Sequence, residues 1–117
     1  MLNPGPATKV HLRTGATDMR MGFEGLVALA SGPMGSDPLS GHLFVFCNKT
    51  RTRVKILYWD GSGLWVCAKR LERGRFHWPE DDRGQGAGAV IDQAGLTMLL
   101  AGIDLRDTRK RAWLRVG

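Results

Sequence analysis

The sequence of 117 residues has few cysteines and no long hydrophobic run. Its two cysteines, Cys47 and Cys67, lie in apolar segments, and no CxxC motif is present. We therefore expect two buried thiols, without a disulfide or a zinc site. No apolar stretch approaches the ~18 residues that cross a bilayer. The first nine residues lack the apolar core of a signal peptide, so we expect a cytoplasmic protein with no membrane partner.

The sequence also lacks the motifs of common catalytic sites. It has no phosphate-cradling GxxxxGK[ST] and no HExxH. A possible pairing of Cys67 with His77 is a weak indication of a nucleophile. The acids of 80–82 stand in a glycine-rich segment, which is typical of solvated charge. We therefore predict no enzymatic activity, no catalytic residues, no metal ligands and no cofactor.

Positive charge, in contrast, is abundant and unevenly distributed. The chain carries 17 Lys and Arg against 11 Asp and Glu, for a net charge of +6. Residues 42–79 contain eight basic and two acidic residues, and residues 106–117 contain five basic residues and one acidic residue. Such segregation indicates a polyanionic partner.

Residues 42–79 have the period-two pattern of β-strands. The segments "HLFVFCN", "RVKILYW", "LWVCAKRL" and "RFHWP" are separated by "KTRT", "DGSG" and "ERG", which have turn composition. Turns this short force neighbouring strands to run antiparallel, so the pattern predicts a β-meander. The segment "KVHLR", residues 9–13, predicts one further short strand.

Two helices are predicted outside the meander. Phe23, Leu26 and Ala30 share one apolar face of a helix over about 19–31, with Thr17 or Asp18 as N-cap. A short extended segment precedes a second helix, which is capped by Asp92 and ended by Gly102. We therefore predict an α+β domain over 9–105: an antiparallel β-meander of four or five strands with two helices packed on one face. A loose N-terminus (1–8) and a basic C-terminal tail (106–117) flank it.

The meander also predicts where its charge gathers. Alternate turns of a meander lie at the same end of the sheet, so the turns at about 48–52 and 72–74 share one end and "DGSG" lies at the other. Asp60 and Lys69 then lie at opposite ends, which counts against a metal-dependent nuclease site. The hypotheses for the basic end are a site for DNA phosphates and a solvated rim that keeps an edge strand from aggregating. The residues expected at this end are Lys49, Arg51, Arg53, Lys55, Lys69, Arg70, Arg73 and Arg75.

The aromatic residues of this segment have two interpretations. Most are expected to fill the core of a small sheet. One or two, exposed beside the basic end, would be able to stack on unpaired bases. Trp78, which ends a strand before Pro79, is the best candidate for an exposed ring, and Trp113 in the basic tail is another.

Four motifs in this order resemble a known family. They are "GATDMRMGFEGL", "DPLSGHLFVFCN", "KILYWDGSGLWVCAKRLERGRFHWP" and "LLAGID". Together they are similar to the TnpB accessory proteins of the insertion sequence 66 family of bacterial transposable elements, over about 9–105. Met21 departs from the lysine expected there. The resemblance implies a protein that is encoded beside a separate transposase and assists transposition, and it supplies no catalytic residues.

The leading hypothesis is thus a non-enzymatic accessory protein that binds DNA through the eight basic residues, with Arg20 joining them. If six to eight of these residues neutralise phosphates, the slope of log K against log salt is expected to be roughly −5 to −7 for duplex DNA. Little base specificity is expected, because no recognition helix is apparent. The alternative is an adaptor that binds the transposase through an aromatic and arginine surface. A metal-dependent nuclease is a weaker alternative, and the oligomeric state is left open.

Overall fold

A computed structural model describes residues 7–79 and 88–102. One five-stranded sheet has the order β4-β3-β2-β1-β5 and is accompanied by two helices, which confirms the α+β class. Across these two ranges, no helix has the length and apolar character needed to span a membrane. The elements are β1 (Val10–Leu12), α1 (Phe23–Ser31), β2 (Leu43–Cys47), β3 (Arg53–Trp59), β4 (Leu64–Arg70), β5 (Ala89–Ile91) and α2 (Gln93–Leu100).

Strands β2, β3 and β4 form the predicted antiparallel meander. Short polar side chains close both of its turns. The Asn48 Oδ1 accepts hydrogen bonds from the backbone N–H groups of Thr52 and Arg53. The Asp60 Oδ1 accepts from the backbone N–H groups of Ser62 and Gly63. Asn and Asp favour turns because they bond the backbone that follows them, so these two residues set the lengths of the strands on either side.

The sheet differs from the prediction in two respects. It is mixed, because β1 runs parallel to β2. Residues 13–42, which include α1, form a connection long enough for this parallel crossover. The segment 75–79 is not a strand. Phe76 donates its backbone N–H to Arg51 O at 2.7 Å, and its side chain is buried, so the segment packs against the sheet and adds no strand.

The prediction that both helices pack on one face is wrong, because they cover opposite faces. All five residues of β2 are buried. Phe44 and Phe46 pack in one cluster with residues of α1, whereas Leu43, Val45 and Cys47 pack in another with residues of α2. Successive strand side chains point to opposite faces. Because both sets in β2 are apolar, each face needs its own cover.

Local hydrogen bonds explain where the helices begin. Helix α1 starts at Phe23 and not near 19, because Asp18 accepts the backbone N–H of Arg20 in a turn and Gly22 takes the N-cap position. The predicted N-cap of α2 is confirmed, since the Asp92 carboxylate accepts the backbone N–H of Gly95 at 2.7 Å. Gly102, with φ of 81°, follows the end of that helix.

Trp78 is buried, so the prediction of an exposed ring there is wrong. Its indole Nε1 donates to Arg13 O at 2.8 Å, and its ring packs in the same core cluster as Phe76. Neither cysteine forms a disulfide. Burial raises the pKa of the Cys47 thiol. The acids of 80–82 and the tail 106–117 with Trp113 lie outside the described residues.

Candidate functional site

The basic residues of the meander gather at one end of the sheet. The register of β3 and β4 places Arg53 opposite Arg70, and Lys55 opposite Ala68. Backbone hydrogen bonds from Leu71 to Thr52 and from Phe76 to Arg51 bring the turn 72–74 beside the turn 48–52. The turn 60–63 lies at the far end of the same hairpin. Like charges directly opposite each other on a sheet are destabilising, so Arg53 and Arg70 create an electrostatic cost at this end.

Two adjoining clefts, of about 520 Å³ and about 440 Å³, open at this end and share Met19 and Arg53 as lining residues. We call them together the basic groove. Asp18 and Glu72 are the two acidic residues that line it within the described chain. Positive charge therefore dominates its wall. The basic residues lining it are Arg20, Lys49, Arg53, Lys55, Lys69 and Arg70.

The cations of the groove differ in how far the protein already engages them. Lys49 and Arg53 are exposed, and within residues 7–79 and 88–102 their side chains make no hydrogen bond or ion pair. The Lys55 Nζ donates to Met21 O at 2.8 Å. An ammonium group has three donors, so Lys55 retains two for a ligand. These three residues are available to an anion without loss of a charged partner.

Arg20 and Arg70 each bind an acid two residues away. The Arg20 Nη2 lies 2.7 Å from Asp18 Oδ2, and its Nε donates to both carboxylate oxygens. Hydrogen bonds from Arg20 lower the pKa of Asp18 to about 2. The Arg70 Nη2 lies 3.2 Å from Glu72 Oε1. Both pairs are exposed to solvent, and exposed ion pairs are weak.

Two of the predicted site residues, Lys69 and Arg51, form hydrogen bonds that connect separate segments of the fold. The Lys69 Nζ donates to Leu100 O at 2.8 Å, at the C-terminal end of α2. The helix dipole stabilises a cation at this end of a helix. This contact lies on the sheet face opposite α1. Arg51 has a φ of 60°, donates from Nη2 to Thr14 O at 3.0 Å, and lies 5.8 Å from the centroid of the Trp78 ring. It therefore joins the turn 48–52 to the segment after β1.

Arg73 and Arg75 are exposed beside the turn at Gly74, which has a φ of 72°. They lie at the basic end but do not line either cleft. Of the nine predicted residues, the structure thus brings six to the groove and keeps these two at its margin. The ninth, Arg51, is half-buried and bound to Thr14 O.

The groove has no obvious means of reading bases. None of its lining residues is aromatic, and stacking on unpaired bases requires aromatic rings. Its one amide side chain, Asn48, donates from Nδ2 to the hydroxyl groups of Thr50 and Thr52, and its Oδ1 accepts from the turn backbone. The wall is therefore suited to neutralising anionic oxygen atoms and not to recognising base edges.

Other chemistries find little support in the described ranges. No group of three or more His, Cys, Asp or Glu there is arranged to hold a metal ion. The Asp60 carboxylate, at the far end of the hairpin from Lys69, accepts hydrogen bonds from Trp65, Ser62 and Gly63. These hydrogen bonds, of which the one from the indole N–H of Trp65 has the largest effect, hold the pKa of Asp60 well below its usual range. This carboxylate is engaged in closing the turn.

The pairing of Asp18 with Arg20 was not predicted from the sequence. Thr17 or Asp18 was predicted to cap α1, although the spacing of two in "DMR" also allows the Asp18 carboxylate to bind the arginine that follows it. The pairing of Glu72 with Arg70 was likewise not predicted. "RLE" repeats the spacing of two in reverse order, so this local pattern was the available signal.

Comparison with known proteins places the chain in a family. The family model described as IS66 Orf2 like protein matches residues 8–110. Protein y4hO of Sinorhizobium fredii is 41% identical over 106 residues, which cover 91% of this chain and 90% of that protein. Protein y4jC of the same organism is 32% identical over 111 residues, covering 95% and 92%. No solved structure matches. The chain therefore belongs to the IS66 Orf2-like family.

Proposed function

We propose that this protein is a non-enzymatic accessory protein of DNA transposition that binds DNA phosphates through the basic groove. The family associates the chain with the transposition of an insertion sequence, in an accessory role with no known catalysis. The DNA-binding part depends on one observation. Arg53 and Arg70 face each other across β3 and β4 in a groove where six basic residues oppose two acids. Cations held together in this way attract a polyanion.

The proposed contacts refine the set predicted from the sequence. Lys69 is left out because its Nζ binds Leu100 O on the sheet face opposite α1. Arg51 is left out because its guanidinium binds Thr14 O and it lines neither cleft. Five to seven phosphate contacts correspond to a slope of log K against log salt of roughly −4.5 to −6 for duplex DNA. The proposed contacts are Arg20, Lys49, Arg53, Lys55 and Arg70 in the groove, with Arg73 and Arg75 at its margin.

The test is fluorescence-anisotropy binding of the purified chain to element-end and scrambled duplexes over a salt series. We expect similar affinity for both duplexes, because the groove offers no aromatic ring or uncommitted amide to the bases. The double variant Arg53→Gln/Arg70→Gln is expected to lower the affinity and the slope. Lys9→Gln removes one exposed charge at the other end of the sheet and serves as the control for net charge.

Two results would overturn the proposal. One is the absence of binding to either duplex at low salt. The other is an equal loss of affinity per charge removed in Lys9→Gln and in the groove variant, which would assign the binding to net charge alone. A pull-down with the element's transposase is the next experiment in either case.

The adaptor alternative, with the transposase as partner, has less support from the described residues. Four of their aromatic side chains, Phe44, Phe46, Phe76 and Trp78, are buried. The exposed Trp65 lies near the turn 60–63, at the end of the hairpin away from the arginines. These five rings therefore do not form the combined aromatic and arginine patch that binding hot spots typically have. Phe23, which is exposed at the start of α1, is the described aromatic residue that follows a groove arginine, Arg20, by three positions.

A further inference from the structure

The two acids of the basic groove are paired in the same way. Asp18 binds Arg20 and Glu72 binds Arg70, in each case across two positions of the chain. No other acidic residue within 7–79 and 88–102 lines the groove. Both of its negative charges are therefore placed on arginines that a DNA phosphate would otherwise contact.

A carboxylate occupies the same donors that a phosphate uses. Guanidinium groups bind both kinds of anion through parallel N–H···O hydrogen bonds. Asp18 receives such bonds from Nε and Nη2 of Arg20, and Glu72 Oε1 receives both Nε and Nη2 of Arg70. A phosphate that takes these donors must displace the carboxylate or share the arginine with it.

Solvent exposure makes this displacement feasible. The side chains of Arg70 and Glu72 are 62% and 79% exposed, and pairs of this kind contribute little net stability. Lys49 and Arg53 have no such competitor among the described residues. The groove thus contains two classes of cation, some open and some already holding an exchangeable carboxylate.

We propose, on the basis of the proposed function, that Asp18 and Glu72 are internal competitors that DNA phosphates replace on Arg20 and Arg70. Lys49, Arg53 and Lys55 make contacts without displacing a charged partner. Arg20 and Arg70 offer their Nε and Nη2 donors to a phosphate only when it exchanges with the carboxylate, so the two acids lower the affinity of the groove for any duplex. This competition limits sequence-independent retention of the protein on DNA.

Glu72 gives the cleaner test. Asp18 also accepts the backbone N–H of Arg20 in the turn before α1, so its replacement would disturb the local fold. Glu72→Gln keeps the size of the side chain and removes the charge. We expect it to raise the affinity for duplex DNA severalfold. The magnitude of the salt slope should rise by no more than about 0.9, the contribution of one phosphate contact, because Arg70 then contacts the phosphate without an exchange.

A second background separates local competition from a general effect of charge. If Glu72 acts through Arg70, the variant Arg70→Gln/Glu72→Gln should bind no more tightly than Arg70→Gln. Glu24→Gln removes an exposed acid in the first turn of α1, outside the groove, and should change the affinity little. Circular dichroism of each variant verifies that the fold is kept.

The outcomes distinguish this inference from the proposed function. If the wild type binds DNA and Arg53→Gln weakens binding, but Glu72→Gln has no effect, the inference fails and the proposed function stands. An equal gain in the Arg70→Gln background or in Glu24→Gln also overturns the inference. If neither the wild type nor any variant binds DNA at low salt, both are overturned.

Discussion

The two ends of the β3–β4 hairpin differ in whether their charged side chains have partners within the protein. At the far end, Asp60 accepts hydrogen bonds from Ser62, Gly63 and the indole of Trp65, and the turn is closed by its own residues. At the basic end, Arg53 faces Arg70, and Lys49 and Arg53 lack a partner in the described chain. At the far end, the charged carboxylate has hydrogen-bond partners within the hairpin and stabilises the turn. An end with surplus positive charge has an electrostatic cost, which an anionic ligand would relieve.

The basic end itself has a buried part and a charged rim. Trp78 and Phe76 pack in the core cluster, and Arg51 connects the turn 48–52 to Thr14. Arg53 and Arg70 lie exposed at the rim. The surplus charge is therefore confined to the exposed rim. Substitutions in the buried part should change mainly stability, and substitutions in the rim should change mainly the affinity for DNA.

The largest expected effect comes from the buried part. Trp78→Ala should lower the free energy of unfolding by about 3–5 kcal/mol, the usual cost of truncating a buried aromatic side chain. It also removes the hydrogen bond to Arg13 O. Chemical denaturation with urea measures the change. Trp65→Ala, which truncates a ring that is 41% exposed at the far end, is the matched control and should cost less. Equal losses would contradict the division between buried part and rim.

The rim should give the reverse pattern. Arg53→Gln/Arg70→Gln should leave the free energy of unfolding unchanged or raise it slightly, because it removes two like charges that face each other. The affinity for duplex DNA should fall at least tenfold, which is about 1.4 kcal/mol. Urea denaturation and fluorescence anisotropy on the same preparations provide both readings. A loss of stability together with retained binding would reverse the assignment of the two ends.

Local patterns account for what the sequence predicted correctly. The alternation in β2, β3 and β4 and the polar turns at Asn48 and Asp60 determine the meander, and the meander alone gathers the basic residues at one end. The cap at Asp92 is likewise a local signal, because a carboxylate three residues before a free N–H is close enough to bond it.

Long-range packing accounts for what it did not predict. An amphipathic helix shows which of its faces is buried but not which face of the sheet it covers, so α1 and α2 were placed together. The burial of Trp78 depends on Arg13, which is 65 positions away. Charge counting also treated Arg51 and Arg53 alike. A hydrogen bond to Thr14 O engages the first, and the described chain leaves the second without a partner.

The smallest expected effect concerns the far end and depends on pH. The pKa of Asp60 lies well below its usual range because Trp65, Ser62 and Gly63 donate to the ionised carboxylate. For a lowered pKa, the stabilisation is present above the unfolded-state value, about 3.9 for Asp. It is lost as the pH falls toward the folded-state value. Asp60→Asn, which cannot ionise, should therefore lose less stability than the wild type between pH 5 and about pH 2.

Thermal denaturation of both proteins at several pH values in that range measures this difference. Asp18, with a pKa of about 2, adds a similar pH dependence in both proteins and cancels in the comparison.

Binding to duplex DNA at pH 7 should be unchanged in Asp60→Asn, because the turn 60–63 lies at the end away from the basic groove. If the stability of the wild type and that of Asp60→Asn fall equally as the pH is lowered, the ionised Asp60 carboxylate does not stabilise this turn. A change in DNA binding would place the far end within the nucleic-acid site and remove the contrast between the two ends.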